Sequence, residues 1–265
     1  MSFSRLSIFV LCLFSMTVSA QAARRVALVV GNGAYEHLLP LANAPLAARS
    51  MADTLEKAGF QVIQGTDLTG EALGERLREF SIIAQGAELA LFYYSGQQAT
   101  INGVDYILPV DANFKSEMDV KLGSAIGVPQ VLEQSVSEAK TRIVIFDTAR
   151  DNAFTRPDSG LSFRPSDSSK TGTAVMKYEN QSLVAFAVAP GRAASDGPPG
   201  GSRPFTQALI SEITAPGVEL QQAMTTVRAK VAGDSQGKQL PQTECNFLRP
   251  VYLGATAPTE KQKAN

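Results

Sequence analysis

Short apolar runs alternate with longer amphipathic stretches along most of the chain. The first run, Val26–Val30, is followed by a stretch in which Ala47, Met51 and Leu55 recur at the spacing of one helical face. Later segments repeat this pairing. The predicted strands are 26–30, 60–66, 87–98, 142–146, 182–190 and 249–254, and the predicted helices are 44–60, 68–86, 126–140, 203–214 and 217–233.

The alternation of strands and helices indicates how the strands pair. Strand–helix–strand units place their strands parallel, with right-handed crossovers. Asn102-Gly103, between two apolar segments, is typical of a hairpin turn. We therefore predict an α/β fold with a mostly parallel central sheet.

Polar residues follow three of the predicted strands. They are Gly31–Gly33, Ser95–Gln98 and Asp147–Asn152. Ligands of parallel sheets bind beyond the carboxyl ends of the strands, so these segments form the candidate site. No pair of nucleophile and base is evident among them.

Composition limits the classes of function. The 265 residues are 44% hydrophobic and 18% charged, which is typical of a globular chain with a sizeable core. A net charge of −1 does not favour nucleic acid or an anionic membrane as the partner. The single histidine, His37, excludes a metal site built from several histidines. We expect His37 to be an ordinary loop residue, and we expect no metal or other cofactor.

The first residues have the pattern of a secretory signal peptide. A basic residue precedes an apolar run over 6–18, and small residues follow at Ala20 and Ala22. The run is shorter than the roughly 20 apolar residues that span a bilayer. We therefore favour a cleaved leader, residues 1–22, over a membrane anchor, with a cut after Ala20 as the alternative. Cys245 would then be the one remaining cysteine, without a partner for an intramolecular disulfide.

Several motifs, in this order, resemble those of caspase-like cysteine peptidases of bacteria, relatives of the metacaspases. They are RVALVVGNGAY, LFYYSGQQ, VDYILPVDA, IFDTARDNAF, AVAPGRAASDG and PFTQAL. The resemblance implies the caspase-like three-layer sandwich, with helices on both faces of the central sheet. It implies one domain at 23–254, made of a large-subunit-like half at 23–154, a linker at 155–181 and a small-subunit-like half at 182–254, followed by a disordered tail at 255–265.

The resemblance also implies where the catalytic dyad of the family would lie. The histidine position, after the third strand, holds Gln97, and the cysteine position, after the fourth core strand, holds Ala149. Alanine carries no nucleophilic atom, and a glutamine amide does not exchange a proton near neutral pH. Gln98 stands where relatives have glycine, so the backbone geometry of the oxyanion hole is expected to suffer.

The resemblance implies a substrate pocket that is retained only in part. Metacaspases hold a basic side chain with acidic residues. One of these positions is kept as Asp147, whereas the other falls in Leu46–Ala48, which has no carboxylate. The residues that we predict to line a peptide-binding cleft are Asp147, Thr148, Ser95, Gly96 and Gln98. Asp147 is equally consistent with a carboxylate that accepts hydrogen bonds from loop N–H groups.

Together these features predict a caspase-like pseudopeptidase, periplasmic or secreted, that acts as a binding or regulatory module. Its partner would be a peptide or protein, for example a basic segment or an active peptidase, and not nucleic acid. No membrane span is expected once the leader is removed. The alternative is a hydrolase with a preference for basic residues that uses the hydroxyl of Thr148 or Ser95, which would need His37 as its base.

Overall fold

The computed structural model describes residues 23–101, 104–114, 117–119, 125–135, 138–148, 181–189, 192 and 194–254. The strands are β1 (Arg25–Gly31), β2 (Gln61–Thr66), β3 (Leu89–Gly96), β4 (Gln98–Ile101), β5 (Val104–Ile107), β6 (Ile126–Gly127), β7 (Thr141–Thr148), β8 (Ser182–Phe186) and β9 (Gln242–Cys245). The helices are α1 (Ala44–Lys57), α2 (Gly70–Ala84), α3 (Glu117–Asp119), α4 (Val128–Ser135), α5 (Pro204–Glu212) and α6 (Leu220–Asp234). The predicted leader 1–22, the tail 255–265 and nearly all of the linker 155–181 lie outside the described residues.

Local sequence signals account for several helix ends. α1 has Pro45 in its first turn, and Gly59 follows it with a φ of 85°, which glycine adopts without strain. α2 begins after Thr69, whose hydroxyl accepts a hydrogen bond from the Ala72 N–H at 3.3 Å. α5 starts at Pro204, whose missing N–H would have no partner at that position.

Six strands form the central sheet in the order β2-β1-β3-β7-β8-β9. The first five run parallel to their neighbours, and β9 runs antiparallel beside β8. The register sets Gly31 beside Ser95 and Ser95 beside Asp147. The carboxyl ends of β1, β3 and β7 therefore meet at one edge, as the sequence predicts.

Helices cover both faces of this sheet. Val29 of β1 shares a core with α1, α5 and α6, and Leu28 shares a second core with α2 and α4. The predicted apolar stripe of α1, which includes Met51, is buried in the first core. The structure confirms the α/β sandwich with a mostly parallel central sheet. No helix in the described parts of the chain is both long and apolar enough to cross a bilayer.

A small antiparallel sheet follows β3. β4 pairs with β5, and β5 pairs with β6, which confirms the strands of the predicted hairpin, although Asn102-Gly103 lies outside the described residues. Gln98 is the first residue of β4 and pairs with Ile107. Gln98 does not adopt a positive φ, so its backbone has a conformation that any residue can adopt.

The predicted closing strand at 249–254 is wrong. Among the described residues the last strand is β9, whose residues are only partly buried. Val251 and Leu253 instead pack into the α1/α5/α6 core without strand pairing. An apolar run predicts that a segment is buried but not that it pairs as a strand. The pairing of a more polar segment such as β9 depends on the neighbouring strand.

Candidate functional site

Asn32 ties together the backbone at the end of β1. Its main-chain N–H donates to the carbonyl oxygen of Ser95 at 2.9 Å. Its side-chain Nδ2 donates to the carbonyl oxygens of Leu68 and Leu108 at 3.4 and 3.3 Å, and its Oδ1 accepts from the Leu68 N–H at 2.9 Å. The buried amide thus links the ends of β1 and β3 to the segments that follow β2 and β5.

Gln97 is buried in a network of neutral groups. Its Nε2 donates to the carbonyl oxygen of Leu39 at 3.0 Å, and its main-chain N–H donates to the hydroxyl of Tyr35 at 2.7 Å. Its carbonyl oxygen accepts from the Tyr94 hydroxyl at 3.2 Å and from the Leu108 N–H at 3.1 Å. The side-chain amide therefore holds the loop that carries Leu39 against the end of β3.

Two buried tyrosine hydroxyls require glycine at position 96. The hydroxyl oxygens of Tyr35 and Tyr94 lie 3.1 Å apart, and that of Tyr94 donates to the Leu108 carbonyl at 2.6 Å. A Cβ on Gly96 would lie 2.5 Å from the Tyr94 hydroxyl and 2.7 Å from the Tyr35 hydroxyl, so a side chain would displace both. Burial raises the pKa of both phenols, which keeps this network uncharged.

Thr148 and Gln98 join the end of β7 to the start of β4. The Thr148 hydroxyl donates to Gln98 Oε1 at 2.5 Å, and both side chains are buried. Ser95 is buried beside them. The acceptor of the Thr148 proton is thus an amide oxygen, which is not a base near neutral pH.

His37 lies apart from these hydroxyls. Its side chain is 45% exposed, and its Nε2 lies 3.9 Å from Glu36 Oε2. Within the described residues, no hydrogen bond connects His37 to Thr148 or Ser95. The expectation that His37 is an ordinary loop residue agrees with this environment.

Asp147 is buried at the end of β7 and is paired with Arg203. The two side chains are 0% and 1% exposed, and Asp147 Oδ1 lies 3.1 Å from Arg203 Nε. At this distance the two groups form a buried ion pair. Asp147 Oδ2 accepts from the Thr206 hydroxyl at 2.6 Å, and the Tyr93 hydroxyl contacts that of Thr206. The described partners of Asp147 are therefore side chains, not loop N–H groups.

Arg203 also holds a second carboxylate. Its Nη1 donates to Asp196 Oδ1 at 2.6 Å. Burial by itself lowers the pKa of Arg203, but attraction to Asp147 and Asp196 outweighs burial, and the net effect raises the pKa. Burial, followed by the charge of Asp147, raises the pKa of Tyr93. The guanidinium therefore stays charged although it is enclosed.

Asn43, the residue before α1, fixes the loop that delivers Arg203. Its Nδ2 donates to the carbonyl oxygens of Asp196 and Pro198, both at 2.7 Å, and its Oδ1 accepts from the Gly200 N–H at 3.0 Å. Gly197 has a φ of 79°, and a Cβ there would lie 2.5 Å from the carbonyl oxygen of Ser202. These contacts tie the loop of residues 194–203 to the start of α1.

The structure brings together every described residue of the predicted cleft. Asp147, Thr148, Ser95, Gly96 and Gln98 lie side by side, and all are buried. Ala149 and the polar residues 150–152 lie outside the described residues. The described residues include no group of three or more histidine, cysteine, aspartate or glutamate side chains that could hold a metal ion.

Sequence analysis missed Arg203, Asp196 and the tyrosine network. One signal for Arg203 was available: a charged residue directly before the apolar start of α5 must either reach solvent or be paired. No sequence signal identifies Tyr35 or Tyr94, because their hydroxyls meet only in the folded chain.

Comparisons with known proteins agree with this architecture. The family model of the caspase domain matches residues 24–252. The crystal structure of caspase-1 from Spodoptera frugiperda is similar in fold, with a TM-score of 0.64 at 15% sequence identity, over 88% of this chain and 90% of that one. No curated protein sequence matches the chain. Because the family match spans both cores and the candidate site, the chain belongs to the caspase-domain family.

Proposed function

We propose that this chain is a non-catalytic caspase-family protein, periplasmic or secreted, that binds a peptide or protein partner at the carboxyl edge of its sheet. The observation that carries the proposal is the pair of side chains at the dyad positions. Gln97 is an amide engaged with the carbonyl of Leu39, and residue 149 is alanine. Neither side chain can attack a carbonyl or transfer a proton near neutral pH.

The geometry gives little support to a hydrolase that uses Thr148 or Ser95. The Thr148 hydroxyl is engaged with the amide of Gln98, and both candidate hydroxyls are buried. The only imidazole in the sequence belongs to His37, which is half exposed and faces Glu36. A hydroxyl without an adjacent base remains a weak nucleophile.

A partner would meet the edge at its exposed rim. Leu39 and Leu46 are 41% and 40% exposed, and they lie on the loop and the helix start that border Gln97 and Asn43. Apolar side chains at a rim of this kind contribute to docking by leaving water when a partner binds. Leu39 and Leu46 are therefore the side chains that we expect a bound segment to cover.

Selection from a random peptide display library against the chain from residue 23 onward tests this function. We expect enriched peptides whose affinity falls about tenfold, or 1.4 kcal/mol, in Leu39→Glu and Leu46→Glu. Ile82→Glu is the matched control, because Ile82 is 67% exposed on α2, which packs on the opposite face of the sheet from α1. Absence of enrichment, or peptides that bind the two rim variants as well as the control, would contradict the proposal.

A further inference from the structure

The strand β2 lies at one end of the central sheet and pairs on one side only, with β1. The N–H of Asp67 donates to the carbonyl oxygen of Gly31 at 3.0 Å, so the odd-numbered residues of β2 direct their main-chain groups toward β1. The even-numbered residues, Val62, Gln64 and Thr66, therefore direct their N–H and C=O groups away from the sheet. Within the described part of the chain, these outward groups have no hydrogen-bond partner.

This outer edge of β2 lacks the features that keep sheet edges from pairing. Its six residues, Gln61–Thr66, include no charged residue and no proline, and the register with β1 is continuous. Gln61, Gln64 and Thr66 are exposed. Unpaired edges usually carry lysine, proline or a bulge, because free N–H and C=O groups otherwise pair with a compatible strand. β2 is therefore a template for one more strand.

The sequence of β2 fits a second copy of itself. In an antiparallel pair centred on Gln64, this residue lies opposite Gln64 of the other copy, and Val62 lies opposite Thr66. All outward N–H and C=O groups then exchange hydrogen bonds, because directly opposite residues of this kind bond to each other in an antiparallel ladder. A shifted register would leave at least one of these residues unpaired. The arrangement has a two-fold axis, as most dimers of identical chains do.

The side chains that meet in this register are compatible. Ile63 would lie opposite Gly65 of the other copy, where a Cβ would lie 2.5 Å from Leu68 Cδ1 because Leu68 fills that space. Ile63 and Leu68 are only partly buried at the border of the α2/α4 core, so the pairing would remove more of their apolar surface from water. Gln64 Nε2 donates to Glu56 Oε1 at 3.3 Å, which leaves a second N–H and the Oε1 of each Gln64 for the opposite amide.

We propose that the chain forms a two-fold dimer in which the β2 strands of two copies pair antiparallel and join the two sheets into one. The two-fold axis is perpendicular to the sheet, so the carboxyl edges of the two copies face in opposite directions. The dimer therefore presents two candidate sites on opposite sides and covers neither. It does not rest on the proposed function, because β1 lies between β2 and the strand that carries Gln97 toward the site.

Disulfide cross-linking tests the register. Gln64→Cys is introduced into the full-length chain together with Cys12→Ser and Cys245→Ser, which remove the native thiols. The two substituted Cα atoms would be about 5.5 Å apart, within the range of a disulfide, so oxidation should give a covalent dimer. Gln61→Cys in the same background is the matched control, because its two Cα atoms would be roughly 20 Å apart. Cross-linking in neither variant, or equally fast in both, would overturn the proposal.

Sedimentation equilibrium measures the association itself. We expect the wild type to dimerise with a dissociation constant on the order of micromolar. Gln64→Pro removes one outward N–H from each copy at a position where an edge strand tolerates proline. It should weaken dimerisation roughly thirtyfold, or about 2 kcal/mol, since two hydrogen bonds are lost. Gln64→Ala retains the N–H and should weaken dimerisation less than about fivefold.

Two results of this measurement would contradict the dimer. One is a wild type that remains monomeric at the highest soluble concentration. The other is a dissociation constant for Gln64→Pro equal to that for Gln64→Ala, which would place the contact elsewhere on the chain. If Gln64→Pro does not fold, cross-linking decides alone, because both cysteine variants retain every main-chain N–H of β2.

Discussion

The ends of β3 and β7 lie side by side but are stabilised in different ways. At the end of β3, Gln97 is held by uncharged partners: two tyrosine hydroxyls and backbone groups. At the end of β7, Asp147 keeps a charge, which the guanidinium of Arg203 compensates. One position carries a neutral side chain, and the other carries a carboxylate whose counter-ion comes from the same chain.

The difference shows that a buried amide and a buried carboxylate depend on their partners in different ways. A neutral amide needs only hydrogen bonds, each worth about 1 kcal/mol net, and a lost bond can be replaced by water near the surface. A buried carboxylate has no such alternative, because removal of its partner leaves a charge in a medium that solvates it poorly. We therefore expect the charged end to be far more sensitive to substitution than the neutral end.

Asp147→Asn should have the largest effect. It removes one carboxylate from the buried guanidinium of Arg203, and the expected loss in the free energy of unfolding is about 3–5 kcal/mol. Urea denaturation monitored by circular dichroism measures it. Glu88→Gln is the control, since this carboxylate pairs with Lys140 and Arg249 at the surface and should contribute less than about 1 kcal/mol. Equal losses in the two variants would show that the buried pair is no more important than a surface pair.

Thr206→Val should have the next largest effect. The valine preserves the shape but removes the hydrogen bond to Asp147 Oδ2 and the contact with the Tyr93 hydroxyl. A hydrogen bond to a charged group contributes about 1.5–3 kcal/mol, and we expect a loss in this range by urea denaturation. Thr225→Val is the control, because the Thr225 hydroxyl bonds only to the Gln221 carbonyl on the exposed face of α6. A loss no greater than the control would show that Thr206 does not support the carboxylate.

Gln97→Ala should destabilise the protein by only about 1 kcal/mol. The Leu39 carbonyl loses its donor, but Leu39 itself is exposed, so water can replace the amide. Gln64→Ala, which removes an exposed hydrogen bond to Glu56, is the matched control and should change stability less. A loss from Gln97→Ala as large as that from Asp147→Asn would abolish the distinction between the two ends.

The buried phenols at the end of β3 should make the stability of the protein decline at alkaline pH. Burial raises the pKa of Tyr94 above its ordinary value of 10.0, so the folded phenol stays protonated while the unfolded one ionises. Its contribution to stability is complete below pH 10 and declines as the pH rises from there toward the folded-state value. At pH 10.5 the loss should be under about 1 kcal/mol per phenol.

Phenolate absorbance measures this titration directly, with the protein unfolded in urea as the reference. Tyr94→Phe should reduce the decline in stability at alkaline pH, because it removes one phenol whose pKa is raised in the folded state. If all phenols of the native protein ionise at the same pH as those of the urea-unfolded protein, the result contradicts the buried network.

Sequence patterns predicted the framework of this edge but not its chemistry. Apolar runs predicted β1, β3 and β7, and the polar residues at their ends identified the edge of the sheet that carries Gln97 and Asp147. The partner of Asp147 was missed, because Arg203 belongs to a loop far along the chain and its approach depends on the packing of α5. The error at 249–254 has the same origin, since burial is visible in an apolar run but strand pairing is a tertiary property.

The most direct test of catalytic silence is the hydrolysis of peptide substrates with arginine or lysine at the cleavage site. The wild type, Thr148→Ala and Ser95→Ala are compared with buffer under identical conditions. We expect all three proteins to match the buffer rate, because the amide of Gln97 and the methyl group of Ala149 provide neither a nucleophile nor a base near neutral pH. Turnover by the wild type that disappears in Thr148→Ala or Ser95→Ala would show that this edge still cleaves peptides.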